Sequence, residues 1–242
     1  MEILFESETA VVINKPAGIA VHDDGKGRGE PTVADWFVDY SPSARDVGEA
    51  IELSDGTLVP RHGVVHRLDK GTSGALILAK TQESYVHLKR QFKKHTIQKE
   101  YHAFVYGIPK QERGMINAPI GRSSGSIEKR ATGNGIRGEA RESQTVYKIL
   151  SSGTDDGLRF SFVAFFPKTG RTHQIRVHAL HIHHPIVGDS LYAPRQKKLL
   201  GFTRPALHAY RIAFHDMDAG EVAVIAPYPA DFSHALSQVK ST

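Results

Sequence analysis

The sequence predicts an α+β fold: a mixed, largely antiparallel β-sheet flanked by helices and loops. Three observations carry this reading. Apolar runs of strand length outnumber amphipathic helical stretches, the two do not alternate regularly as a doubly wound fold requires, and Pro or Gly closes several of the runs. A chain of 242 residues with 40% hydrophobic and 24% charged residues is long enough for a full core. Neither an internal repeat nor a linker divides it, so residues 1–242 are expected to form a single domain.

Ala10-Val11-Val12-Ile13, closed by Lys15-Pro16-Ala17-Gly18, is a β-branched run meeting a turn, the pattern of a buried strand. A polar, glycine-rich loop follows from His22 to Gly29. Val33, Trp36, Phe37 and Tyr40 then fall at i, i+3, i+4 and i+7 behind Thr32, a suitable N-cap, which predicts a short amphipathic helix stopped by Pro42. Residues 44–63 are broken by glycine and read as surface connection with one short strand at Thr57–Val59. Gly74–Ala79 is a continuous apolar strand, and Thr81 caps a helix in which Tyr85, Leu88 and Phe92 keep helical spacing. Lys89, Arg90, Lys93 and Lys94 cluster towards the C-terminal end of that helix, where positive charge complements its dipole; the cluster is either a solvated face or a phosphate-binding edge.

Tyr101–Tyr106 has the aromatic and β-branched composition of a strand and ends at Gly107. From 107 to 142 glycine, serine and arginine dominate, which predicts a long, flexible, basic segment, either able to close over a negatively charged ligand or simply a mobile excursion. Strands resume at Thr145–Leu150 and Leu158–Phe166. Thr172 is the expected cap of a helix running through His181, a loop with Pro185, Gly188 and Pro194 follows, and Ala206–Phe214 and Glu221–Ala226 are the last strands.

Composition removes several function classes. Without cysteine there are no disulfides, thiolate nucleophiles or cysteine-bearing metal sites, and a reducing cytoplasm fits. No apolar run approaches the ~20 residues that cross a bilayer, and the acidic start MEILFESE lacks a signal peptide's regions, so membrane and secretion are set aside. A formal charge of +5 is compatible with a polyanionic partner. No GxxxxGK followed by Ser or Thr occurs, and Gly25, Gly27 and Gly29 have the wrong spacing for a dinucleotide loop.

The 14 histidines invite a metal. HExxH is absent, which leaves His62 with His66, and His173, His178, His181, His183 and His184, as the candidates. Gly63 opposes the helix that would converge the first pair, and no acidic residue completes the second set, so no metal site is expected.

Two segments concentrate reactive side chains. In Gly63–Gly74 one carboxylate, Asp69, lies among basic residues and turn formers directly before a core strand. Flanked by Arg67 and Lys70 it should stay ionised, able to act as nucleophile or base, or else simply to brace the Gly-Thr-Ser-Gly turn. In Lys168–His178, a helix capped by Thr172 would place Gly170 and Arg171 where unpaired backbone N–H groups face an anion. Arg176 and Leu180 would share a face, and Arg176 would serve either an anion or a structural partner such as a core carbonyl or an acid.

HRLDKGTSGALILAK, QKEYHAFVYG, GRTHQIRVH and HPIVGDSLYA occur in this order between His66 and Ala193, and VVINKPAGIAVH, LHAYRIAF and APYPADF extend the pattern to nearly the whole chain. Together these motifs closely resemble the RluA-type family of pseudouridine synthases. The HRLD and GRTHQIRVH forms favour this type over the related family acting on small-subunit ribosomal RNA.

The resemblance implies a uridine isomerase that breaks the N1–C1′ glycosidic bond of a uridine in RNA, turns the base and rejoins it through C5. It implies Asp69 as nucleophile, Tyr101 as the ring stacking on the target uracil, Arg176 as the arginine pairing with the aspartate, and Arg67 as a filler of the gap left by the flipped base. Leu180 would pack against the base, and Arg171, Lys93 and Lys94 would contact RNA phosphates, with the segment from Arg122 to Arg141 as a further contact. The scheme requires no metal and no organic cofactor. The expected partner is structured RNA, ribosomal or transfer, with no membrane and no obligate protein partner, the chain acting as a monomer. The S4-type domain of some relatives is not expected ahead of Asn14, and His183 and Ala193 stand where many relatives are expected to carry Gly. Two rival readings are a catalytically silent RNA-binding module of the same fold and a histidine-dependent metallohydrolase.

Overall fold

A computed structural model describes residues 1–22, 29–52, 56 and 58–239. Gly25 and Gly27, most of the loop expected from His22 to Gly29, and Thr57 of the expected short strand lie outside the described residues. In chain order the elements are β1 (Glu2–Glu6), β2 (Ala10–Lys15), α1 (Val33–Tyr40), β3 (Ile51–Glu52), β4 (Leu58–Val59), β5 (Ser73–Ala79), α2 (Gln82–Lys94) and β6 (Gln98–Tyr106). There follow β7 (Arg113–Asn117), β8 (Ile120–Ser123), β9 (Arg130–Thr132), β10 (Ile136–Arg141), β11 (Gln144–Asp155), β12 (Leu158–Pro167), α3 (Gln174–His181), β13 (Leu207–Asp216), β14 (Gly220–Ile225) and α4 (Ala230–Ser237). The class is α+β, with mostly antiparallel strands and four α-helices among the described residues. None of these helices is long and apolar enough to cross a membrane. The chain forms two compact units, Met1–Gln98 with Ala209–Pro227, and Lys99–His208 with Tyr228–Thr242.

In the first unit the strand order is β1-β2-β5-β13, with β14 on β13. β1 pairs antiparallel with β2, β2 with β5, and β13 with β14. Ala10–Ile13 and Ala75–Ala79 are buried at consecutive positions, so both faces of β2 and β5 are covered, which explains why their sequences are continuous apolar runs instead of alternating ones. α1 forms where predicted. The Thr32 hydroxyl accepts from the Asp35 N–H at 3.2 Å and the Asp35 carboxylate accepts from the Thr32 N–H at 2.8 Å, a reciprocal cap that fixes the first turn. α2 is capped by Thr81 as expected, and its Tyr85 and Leu88 are buried.

The second unit orders its main strands β6-β12-β11-β7, all antiparallel. Its core is aromatic: Phe104 lies 5.5 Å from Phe202 and 5.6 Å from Phe232 between ring centroids, and Phe160 and Phe162 join them. Phe232 belongs to α4, a helix the sequence reading did not anticipate, as it did not anticipate β1.

Residues 107–142 are not the long irregular segment that composition predicted. They form β7, and β8, β9 and β10 make a separate three-stranded sheet in the order β10-β8-β9. Its strands are three to six residues long and carry few apolar side chains, so they show no alternation. What anchors them is remote in sequence. Ile120 is buried against Val177 and Tyr192, and the Arg130 N–H donates to the Tyr192 hydroxyl at 2.9 Å.

Candidate active site

Asp69 lies half-buried in the loop leading into β5, and the backbone on either side of it is pinned. Before it, the His66 ring accepts from the Ile77 N–H of β5 at 3.0 Å and packs on Phe92 with centroids 4.6 Å apart, while Leu68 is buried. After it, the Lys70 carbonyl accepts from the Gly18 N–H at 2.7 Å, and the Thr72 N–H donates to the Asp69 carbonyl at 3.0 Å. Lys15 closes the arrangement. Its fully buried ammonium donates to the carbonyls of Pro16 at 2.9 Å, Ile19 at 2.8 Å and Lys70 at 3.5 Å, so a charge rarely found inside proteins is matched donor by donor. The NKPAG turn and the Asp69 loop are thereby one hydrogen-bonded body. Arg67 and Lys70 are exposed, and Lys70 pairs with Glu30. Lys93 and Lys94 are exposed in the last turn of α2.

In the second unit, Tyr101 is half-buried on β6, opposite Phe165 of β12, and packs against the aromatic core. Lys99, two positions earlier, shares its face of the strand. The Lys99 ammonium donates to the Thr169 carbonyl at 3.1 Å, and burial pushes it down to about 8.

α3 departs from the sequence reading in two respects. Its N-cap is His173, held at φ 56°, and not Thr172. Nor does Arg171 offer its N–H to an anion: the Gln174 side-chain oxygen takes it at 2.9 Å and also accepts from the Thr169 hydroxyl at 2.7 Å, tying the loop before α3 to the helix's first residue. Arg171 Nε donates to the Glu142 carbonyl at 3.1 Å. Gln174–Ala179 are all buried, so the three polar residues among them, Gln174, Arg176 and His178, need dedicated partners. Gln174 Nε2 donates to the Gln144 carbonyl at 2.9 Å and the Thr145 hydroxyl at 3.0 Å. The Thr145 hydroxyl bonds His178 Nδ1 at 2.8 Å, and His178 Nε2 donates to the Ala118 carbonyl at 2.9 Å. Burial holds His178 below the usual histidine range.

Arg176 is paired with an acid of its own unit. Its Nε and Nη2 donate to the two carboxylate oxygens of Asp189 at 2.7 and 2.8 Å, and its guanidinium lies 5.0 Å from the centroid of the Tyr192 ring. Asp189 also accepts from the N–H groups of Leu191 and Tyr192, both at 3.1 Å. Leu180 is 40% exposed one turn on from buried Arg176. Lys99, Asp189 and Tyr192 were not singled out from sequence; Asp189 and Tyr192 stood in view within HPIVGDSLYA, but nothing local says which residue they meet.

The histidines are largely absorbed by architecture. His62, His95, His173 and His183 occupy positive φ, four of the six non-glycine residues that do so among the described residues. His62 and His184 donate to the carbonyls of Arg45 and Tyr106. Among the described residues, no three His, Asp or Glu side chains come together as a group able to hold a metal ion.

A family model described as RNA pseudouridylate synthase matches residues 9–181, which include the Asp69 loop, β6 and α3. The chain belongs to the RluA-type family of RNA pseudouridine synthases. Among its relatives, a Mycobacterium bovis protein called an uncharacterized RNA pseudouridine synthase is 40% identical over 239 residues, covering 98% of this chain and 72% of that one. A ribosomal large subunit pseudouridine synthase D of Neisseria meningitidis is 36% identical, covering 99% of this chain and 61% of its own length. The solved structure of the human RNA pseudouridylate synthase domain containing 1 superposes with a TM-score of 0.73 at 28% identity, over 94% of this chain and 83% of that one. Pseudouridine synthases are isomerases. In this pseudouridine synthase His183 has φ 64°, a conformation that glycine adopts at no steric cost.

Proposed function

We propose that this chain converts uridine in structured RNA, ribosomal or transfer, to pseudouridine, with Asp69 as the nucleophile and residues 1–242 working as a single catalytic domain. The observation that carries the reading is the held carboxylate: in a chain of this family, Asp69 sits in a loop pinned on both sides by His66, Gly18 and Lys15 while its side chain remains half-exposed. A nucleophile carried on a fixed backbone spends less conformational entropy in reaching its target.

Isomerisation adds and removes no atoms. The N1–C1′ bond breaks, the uracil turns, C5 bonds to C1′ and the C5 proton leaves as N1 takes one up. Asp69 attacks C1′ or C6, or assists formation of a glycal; each route releases the C5 hydrogen. The target base must first leave its stack, at a few kcal/mol, and Tyr101 is assigned the ring that offsets part of this by stacking. Arg176 is assigned the arginine that keeps the nucleophile charged, Arg67 the gap left by the base, and Leu180 apolar contact with it. Arg171, Lys93, Lys94 and the basic strands β8 to β10 are assigned to phosphates. Reducing, cytoplasmic surroundings suit a cysteine-free enzyme of this kind.

The test is release of tritium from RNA labelled at uridine C5, with no added metal. Asp69→Asn is expected to abolish release while RNA binding persists. Full release by that variant overturns the assignment, and release lost to a chelator and restored by zinc favours a metallohydrolase. Mapping pseudouridines in RNA from cells with and without the gene identifies the target.

A further inference from the structure

We infer that Asp189 is a positioning residue for Arg176, setting the plane in which the guanidinium presents itself to the reacting groups. The inference rests on the reading of Arg176 as part of the reaction centre.

A guanidinium on a flexible side chain can rotate, and one contact does not fix it. Asp189 makes two, through Nε and Nη2, at 2.7 and 2.8 Å, and two parallel bonds define a plane as well as a direction. The carboxylate is itself immobile. Its Oδ1 accepts from the N–H groups of Leu191 and Tyr192, and its side chain is fully buried. The backbone beneath it is fixed too: Gly188 has φ +73°, and a Cβ there would lie 2.2 Å from the Arg204 carbonyl oxygen, so the chain passes where only glycine fits. On one side Tyr192 covers the guanidinium, and the Tyr192 hydroxyl is held by His173 Nδ1 at 2.8 Å and by the Arg130 N–H. The motif HPIVGDSLYA is thus a cradle for one arginine of GRTHQIRVH. A cost accompanies this device, because a buried ion pair gives up the hydration of both charges. An ion pair serving stability alone could be replaced by apolar side chains at both positions, whereas one that aims a cation cannot.

Three variants test this: Asp189→Asn, which keeps the shape and removes the charge; Asp189→Glu, which keeps the charge and moves it by one methylene; and Arg176→Lys. Single-turnover tritium release and RNA affinity are measured for each at a temperature where circular dichroism shows it folded. Asp189→Asn is expected to slow release about 10- to 100-fold, the loss typical of a misplaced catalytic group, with RNA Kd within twofold of the parent. Combined with Arg176→Lys it should slow release no further, because both changes disable one unit. Wild-type release by Asp189→Asn, or a loss that multiplies fully with that of Arg176→Lys, overturns the inference. If Asp189→Asn does not fold, Asp189→Glu decides: slowed release at unchanged Kd supports positioning, and parental release refutes it. Parental release by Arg176→Lys alone would instead sink the reading of Arg176 on which the inference depends.

Discussion

Replacing Gly74 by alanine is expected to be among the most damaging single-methyl additions in the first unit. Gly74 follows the Asp69 loop at the start of β5 and has φ +113°, a conformation that costs an L-residue about 1–3 kcal/mol. A Cβ there would also stand 2.2 Å from the Ala209 carbonyl oxygen and 2.7 Å from the Ala209 C and N atoms. All three are backbone atoms, so no side chain can swing away, and β5 and β13 would have to separate. Overpacking of this kind costs about 1–3 kcal/mol, which brings the sum to about 2–6 kcal/mol. Against a typical total of about 5–15 kcal/mol this is a large fraction. Gly18→Ala is the control: its φ is +91° but nothing lies within 4 Å of the added carbon, so it reports strain without collision. Urea unfolding at 25 °C, compared at constant m, gives both losses. Gly74→Ala should lose at least about 1 kcal/mol more than Gly18→Ala. Equal losses would refute the claim that close approach to Ala209 is what demands glycine.

His183→Gly removes the strain of a side chain at φ 64° and should raise stability by up to about 1 kcal/mol, or about 2–4 °C in Tm for a chain of this size; an unchanged or lower Tm contradicts it. Burial lowers both His178 and His102 from the usual histidine range, in His102 against the opposing pull of Glu100 at 2.9 Å, so the fold favours the neutral form of each. As pH falls through the ordinary histidine range, the unfolded chain takes up protons that the folded chain refuses. Their contribution, complete above that range, should therefore decline, at no more than about 1.4 kcal/mol per pH unit for each group. His178→Gln cannot titrate, so Tm measured from pH 7.5 to 5.5 should fall less steeply in the variant, and parallel curves would remove His178 from the account. Changing both Lys93 and Lys94 to Ala should weaken RNA binding and reduce its salt slope by about one to two, with single-turnover chemistry unchanged at saturation; an unchanged slope makes that helix end a solvated face.

Much of the fold was legible because local chemistry and global structure agree. Thr32 and Thr81 announced caps that form, and the continuous apolar runs at Ala10 and Gly74 are strands buried on both faces. Three strands were hidden by composition. β8, β9 and β10 carry too few apolar residues to show a period, and are held by a ladder and by Ile120 reaching Val177 and Tyr192. β11 runs on past its predicted end at Leu150 to Asp155, where Asp156-Gly157 turns the chain into β12, a dipeptide whose hairpin preference was there to be read.

By itself the sequence determined the buried apolar strands, the caps at Thr32 and Thr81, the ordered motifs and the family, because these depend on residue identity and short spacing. It also gathered Asp69, Tyr101 and Arg176 as the residues of interest. Tertiary structure alone decided how each is held. Gln174 takes the Arg171 N–H that an anion was expected to meet, Lys15 ties the NKPAG turn to the Lys70 carbonyl, and Arg176 finds Asp189 thirteen positions on. Such partners are chosen by which buried donors and acceptors meet when the chain packs, and a buried polar group takes its partner from wherever in the sequence the fold delivers one.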